Sequence, residues 1–352
     1  MTRSLRSLGQ AISAGWDRAI AALAPALGEI ASAPQLERLA AVLNGVLGDR
    51  LRSANSPLAI KMELRQGGKT LEAAGIAAGT VAAAAVPVAS PKVLLLVHGL
   101  CMDDHSWERA GHDHGAALAR DLGFSCVYLR YNSGLHVSEN GREAADMIER
   151  MLASWPVPVD ELAIVAHSMG GLVARSAVHY GTSAGHSWPR RLRSMVFLGT
   201  PHQGVPLERI GHWLEVLWAK TLVTAPFAKV GKVRSAGITD LRYGYVLDED
   251  WHGRDRFAGE PSLHQSLPLP AGVSCFAIAA ALGDADAGLR NGWLGDGLVP
   301  VTSALGLHTE PSLALAIPAS HRWTAYRAGH LDLLERADVY ERIRAWLTNP
   351  EA

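Results

Sequence analysis

The stretch Leu162-Ala163-Ile164-Val165-Ala166-His167-Ser168-Met169-Gly170-Gly171-Leu172-Val173-Ala174-Arg175 decides how this chain is read. An apolar run enters it and a helical segment leaves it, so Ser168 falls on a turn between a strand and a helix. Ala166 and Gly170, two positions either side of the serine, are small enough to let that turn close. A serine hydroxyl is a poor nucleophile until it is lifted clear of the backbone, beside a base and opposite amide donors. On this stretch alone, a serine that merely caps the following helix is an equally good reading. The rest of the chain separates the two.

Working outward, short apolar runs recur at residues 93–97, 126–129, 162–165 and 195–198, each followed by a helical segment. Unbroken apolar runs suit strands covered on both faces, and the intervening helices suit parallel crossovers, so the expected fold class is α/β with a mostly parallel, doubly wound sheet. Runs at 273–278 and 313–317 would extend the sheet, and a helix from about His330 to Leu347 would close the domain. Between about residues 205 and 263 the rhythm stops. That segment carries Trp213, Leu214, Leu217, Trp218, Leu222, Val223 and Phe227 at helical spacing, and is expected to be a helical cap over the site within a domain spanning 91–350. Residues 1–90 read as an extension: two amphipathic helices between Leu5 and Arg52 separated by Pro34, then an alternating segment from Ile60 to Arg65 that runs into the Gly67-Gly68 turn as a strand or hairpin. The stretch from Ala73 to Ala89 is read as a linker or packing segment, being too rich in Ala and Gly for a membrane span.

Composition narrows the function classes. Across 352 residues, 33 basic against 34 acidic side chains leave a net charge of -1, which offers no general attraction to nucleic acid. Cys101, Cys126 and Cys275 lie far apart with no C-x-x-C pair and are expected to be reduced thiols. No standard secretory signal is read, so a cytoplasmic protein is the expectation.

In α/β sheets active sites gather beyond the carboxyl ends of the strands. Among 15 histidines, His330 in Ala328-Gly329-His330-Leu331-Asp332 is favoured as the base, with His321 as runner-up. His167 would point away from its neighbour Ser168 and His98 is read as loop support. His112 and His114 read as solvated, and His202 could line the pocket. Asp296, between Gly295 and Gly297, is the favoured acid over Asp284 and Asp286, because the order Ser168, Asp296, His330 is that of the nucleophile-elbow hydrolases. The oxyanion donors are expected at the backbone amides of Leu100 and Met169. Trp213 and Trp218 join His202 as expected pocket residues.

At these motifs the chain resembles the α/β-hydrolase family, and within it the bacterial lipases and the GPI inositol-deacylase-like hydrolases. The resemblance runs from about Pro91 to Trp346 on V-H-G-L (97–100), A-H-S-M-G-G (166–171), L-G-T-P-H-Q-G (198–204), G-D-G-L-V-P (295–300) and G-H-L-D (329–332). It implies an α/β-hydrolase fold, with Ser168, Asp296 and His330 as catalytic triad and Leu100 and Met169 as oxyanion amides. Some lipases of this type bind calcium through an aspartate placed like Asp332, but a second carboxylate at the matching position is missing, so neither a metal nor any other cofactor is expected. The implied activity is hydrolysis of acyl or lipid-like carboxylic esters through an acyl-enzyme, with peripheral contact to a lipid surface compatible with it. A thioesterase, an acyltransferase, or a non-catalytic scaffold retaining the fold are the competing readings. Residues 1–90 inherit no role from the resemblance.

Overall fold

A computed structural model describes residues 33–71, 89–219, 234–255, 267–287 and 294–350. The expected first N-terminal helix, the 73–88 segment and parts of the expected cap lie outside them. Eight strands form one sheet: β1 (Glu63–Gln66), β2 (Lys69–Thr70), β3 (Lys92–Val97), β4 (Ser125–Arg130), β5 (Glu161–His167), β6 (Leu192–Leu198), β7 (Ser274–Ala281) and β8 (Arg322–Tyr326), in the spatial order β2-β1-β4-β3-β5-β6-β7-β8. From β4 to β8 every pairing is parallel, and β1 pairs antiparallel with both β2 and β4. This is an α/β-hydrolase sheet.

The continuous apolar runs follow from burial on both faces. Along the pleat, Val93, Leu95 and Val97 enter one core with Ile164, Ala166 and Phe197, while Leu94 and Leu96 enter the other with Ala163, Val165 and Leu198. Helices α2 (His114–Leu122), α3 (Val137–Ala153) and α4 (Met169–Ser183) connect the central strands. The chain steps from β3 to β4 in one direction, then doubles back to β5 and on to β6. Right-handed crossovers therefore put α2 on one face and α3 and α4 on the other, as their core memberships show. The reversal leaves a crevice beyond the ends of β3 and β5, where Ser168 lies.

Three expectations are corrected. The run at 313–317 is not a strand: the last strand is β8, whose residues Arg322-Trp323-Thr324-Ala325-Tyr326 are mostly only half-buried at the sheet edge and so show no apolar run. The closing helix, α8 (Ala337–Thr348), starts later than His330, which leaves that histidine on a loop. His112 and His114 are not a solvated pair, because His114 is fully buried, bonded to His112 at 2.8 Å and to the Leu333 carbonyl at 2.9 Å, and its ring stacks on Tyr340. Burial drives its pKa down to about 4, so it stays neutral.

Between β6 and β7 lie helices α5 (Leu207–Ala219), α6 (Ala236–Tyr243) and α7 (Asp248–Trp251). Pro34 sits in the first turn of α1 (Ala33–Ser53), where its missing N–H leaves no bond unmade, and the helix expected before it lies outside the described residues. No helix among the described residues is long and apolar enough to cross a membrane.

Charge ties α1 to the hairpin edge. Glu37 of α1 meets Arg65 of β1 at 3.1 Å, His105 at 2.9 Å and Arg130 of β4 at 3.8 Å, while Arg65 also reaches Glu63 at 3.0 Å and Asp104 at 3.4 Å. Burial works against ionisation of Glu37, but the Arg65 hydrogen bond and the Arg130 charge win, holding its carboxyl below the 4.5 of a free glutamate. A carboxyl depressed in the folded state contributes stability above its unfolded pKa and loses it as the pH falls through the folded value. Thermal unfolding of wild type and Glu37→Gln should therefore differ at about pH 7 and converge toward about pH 3.

Candidate active site

Ser168 occupies a backbone conformation that a side chain rarely adopts, with φ 54° and ψ -128°. The turn is forced by its neighbours: the Ser168 amide donates to the Leu198 carbonyl of β6 at 2.8 Å, while the Ser168 carbonyl accepts from the Gly171 amide at 3.0 Å. Backbone crowding selects the surrounding glycines. A Cβ on Gly170 would lie 2.3 Å from the Val97 carbonyl oxygen, and one on Gly99 would lie 2.9 Å from the Ser168 Cβ. Strain of this kind costs about 1–3 kcal/mol and persists only where surrounding structure imposes it.

The loop after β7 brings Asp296 to His330. One carboxylate oxygen of Asp296, Oδ1, accepts from the Leu298 and Val299 amides at 2.9 and 2.7 Å, and the other, Oδ2, pairs with His330 Nδ1 at 2.6 Å. Both residues are buried. This fixes the imidazole tautomer, with the proton on Nδ1 facing the carboxylate. His330 Nε2 is buried and makes no hydrogen bond among the described residues, so it remains available to a proton.

The histidine beside the serine turns out to hold this arrangement. His167 Nε2 lies 3.1 Å from the backbone carbonyl of His330, and the two rings are 4.7 Å apart. Burial, with the nearby His330, pushes its pKa well below the usual histidine value, so it is a neutral donor. The dipeptide order could not signal this contact, which spans 163 residues of sequence. His98 supports its loop, stacked on Tyr131 at 4.3 Å, and accepts a long 3.4 Å bond from the Tyr131 amide, while Tyr131 donates its hydroxyl to the His98 carbonyl at 2.7 Å.

The remaining candidates are dispersed. Asp284 is exposed and paired with Arg327, Asp286 is exposed in a short 3-10 turn, and His321 lies at the start of β8, the opposite end of the sheet from Ser168. His202 is buried, edge-on to Phe197, with Nδ1 3.4 Å from Arg175. The Met169 amide follows the serine directly and opens α4, while Leu100 follows Gly99, whose would-be Cβ would lie 2.9 Å from the Ser168 Cβ; neither amide donates to an acceptor among the described residues.

A cavity of about 400 Å³ opens beside this group, walled by Arg38 and Val42 of α1, Met102 and Arg109 of the loop after β3, Trp213 of α5, and Leu331. The Trp213 ring stands edge-on to His330 at 6.4 Å. The Trp218 side chain lies outside the described residues.

The sheet order and its crossovers are those of an α/β-hydrolase fold. Residues 132–276 match the family described as PGAP1-like alpha/beta domain. None of the curated proteins compared matches the chain. Among solved structures the chain is similar to the mature Bacillus licheniformis lipase BlEst2, at 15% identity and TM-score 0.45 over 73% of this chain and 91% of that one. It is also similar to an esterase of Pyrococcus furiosus, at 14% identity and TM-score 0.45 over 74% and 81%. A metagenomic carboxyl esterase aligns at 17% identity and TM-score 0.41 over 75% and 77%.

Glycine at position 168 would relieve the positive φ that alanine must still bear. Calorimetry should place the melting temperature of Ser168→Gly a few degrees above that of Ser168→Ala.

Proposed function

We propose that the chain is a serine hydrolase of carboxylic esters, with Ser168 as nucleophile, His330 as general base and acid, and Asp296 as the orienting carboxylate. The observation that carries this reading is the split environment of His330: one ring nitrogen is bound to a buried, doubly hydrogen-bonded carboxylate, and the other makes no hydrogen bond among the described residues, on a ring 4.7 Å from that of His167, the residue before the strained serine. Buried His167 and His202 also leave one ring nitrogen without a partner among the described residues, but neither binds a carboxylate through the other nitrogen, as His330 does.

In the proposed reaction the Ser168 hydroxyl attacks the ester carbonyl while His330 Nε2 takes its proton. The carbonyl oxygen, now negative, is held by the Leu100 and Met169 amides, and the second of these also sits at the N-terminus of α4, whose dipole favours negative charge. Collapse of the tetrahedral species releases the alcohol, which receives the proton from His330. Water then repeats the sequence on the acyl-enzyme, releasing the acid and restoring the serine. Asp296 stays ionised throughout and stabilises the imidazolium.

The cavity supports an acyl group seated against Val42, Met102, Trp213 and Leu331, with a polar part of the same substrate facing Arg38, the Arg109–Glu335 pair at 3.3 Å, Asp103 and Glu108. Lipid-like esters fit this mixture of walls.

A fluorophosphonate probe should label the wild-type chain, and Ser168→Ala should abolish labelling. Failure to label the folded wild type would contradict the reading. Asp296→Asn should keep the fold and lower kcat by about 10⁴-fold, as loss of the orienting carboxylate does in serine proteases. In a panel of esters of increasing acyl length, Trp213→Ala should raise KM for long chains while leaving acetyl esters nearly unchanged; a uniform effect across the panel would remove Trp213 from the acyl site.

A further inference from the structure

Helix α1 lends Arg38 and Val42 to the cavity wall, and it also meets the loop carrying Leu100 at backbone distance. A Cβ on Gly45 would come within 2.2 Å of Cys101 Sγ and 2.9 Å of both the Cys101 Cα and backbone nitrogen. The thiol could swing aside, but the backbone atoms could not. Cys101 is itself in left-handed backbone, with φ 61°, a conformation that costs a non-glycine residue energy and needs outside support.

That support is visible. The Cys101 amide donates to Ser133 Oγ at 3.0 Å, and its thiol lies 3.7 Å from the Val42 carbonyl oxygen of α1. The helix is anchored in turn from behind. Ser235 donates its hydroxyl to the Gly45 carbonyl at 2.7 Å, Asn132 donates to the Gly48 carbonyl at 3.1 Å, and buried Asn44 bridges the Leu58 carbonyl and the Ile60 amide. The seam continues where a Cβ on Gly48 would stand 1.8 Å from Asn132 Oδ1, and one on Gly134 would stand 2.0 Å from the Asn44 carbonyl oxygen. Gly45 and Gly48, three apart, lie on one face of the helix. Alanine is the better helix former at both positions, so the contact rather than the helix accounts for glycine there.

We propose that α1 is a positioning element of the active site. The Gly45–Cys101 contact, together with Ser133, sets the strained backbone at Cys101 and so aims the preceding Leu100 amide at the oxyanion. The Leu100 N–H lies in the preceding peptide plane, separated from Cys101 by one planar peptide and the φ and ψ torsions of Leu100, so a displacement at Cys101 reaches it through a single residue. The inference rests on the hydrolase reading and adds to it a positioning role for α1, beyond the cavity wall that Arg38 and Val42 supply. A purely structural seam would lower stability and leave the kinetic constants of the folded enzyme alone.

The test is Gly45→Ala in the full chain, with Gly211→Ala as control, since Gly211 lies on α5 with no atom near its would-be Cβ. Turnover of a p-nitrophenyl ester and inhibition by a matching trifluoromethyl ketone, which forms a tetrahedral adduct with the serine, are measured on both. Gly45→Ala should lower kcat by about 10²-fold, as loss of one oxyanion donor does, and should weaken the ketone in parallel while KM changes little. Gly211→Ala should match wild type. If Gly45→Ala fails to fold, Ser133→Ala, which leaves α1 intact, should show the same paired loss of kcat and ketone affinity on a smaller scale. Wild-type kcat and ketone affinity in either folded variant would overturn the proposal. A wild type that neither turns over any ester nor binds the ketone would instead overturn the hydrolase reading, and the proposal with it.

Discussion

The structure depends on a single crowded crossing, where the ends of β3, β5 and β6 come together around the Ser168 turn. Val97 and His98 carbonyls press on Gly170, Thr200 presses on Gly171, and Gly99 faces Ser168 itself. Side chains at those glycines would collide at 2.1–2.9 Å, so the backbone can pass only where they are absent. Out of this crowding comes a serine held at φ 54°, with its amide tied to β6 and its carbonyl to α4. The strain is local, but the sheet that imposes it is the whole core. Its two faces are buried by different helices, and the crevice at the β3–β5 reversal is where a serine so placed meets loops from β3, β7 and β8.

Around that crossing the polar groups are arranged in layers. Asp296 uses one oxygen on two loop amides and the other on His330, so the carboxylate is rigid before it orients anything. His167 grips the His330 backbone from the strand side, and His98 with Tyr131 braces the loop that carries Leu100. Both supporting histidines are buried and kept neutral by burial, His167 also by the neighbouring imidazole, which lets them act as fixed hydrogen-bonding groups. Their fixed roles suit preorganisation, in which donors are aimed before charge develops.

Much of the fold was legible because burial on both sheet faces writes itself as unbroken apolar runs. Each central strand from β3 to β7 carries one, and the Gly67-Gly68 turn marks the hairpin. β8 carries none, because an edge strand with half-exposed residues needs none, and the apolar segment at 313–317 drew the reading away from it. The Ser168 turn and the Asp296–His330 pair could be approached through chain order, since glycine-flanked loops after successive strands converge at one end of a parallel sheet. What could not be read were contacts between distant positions. His167 is indistinguishable in sequence from a packing residue until His330 arrives across 163 positions. The seating of α1 was equally hidden: its apolar face announced an amphipathic helix, while Gly45 and Gly48 gave the one hint, a small-residue face, of how close its partner would be.

Everything proposed for the chemistry turns on Ser168 being presented as a nucleophile opposite two backbone amides. The most direct measurement is a crystal structure of the chain after reaction with an alkyl fluorophosphonate. The account predicts phosphorus bonded to Ser168 Oγ, with the phosphoryl oxygen within hydrogen-bonding distance of both the Leu100 and Met169 amides. Phosphorus on another side chain, or a phosphoryl oxygen turned away from both amides, would contradict it.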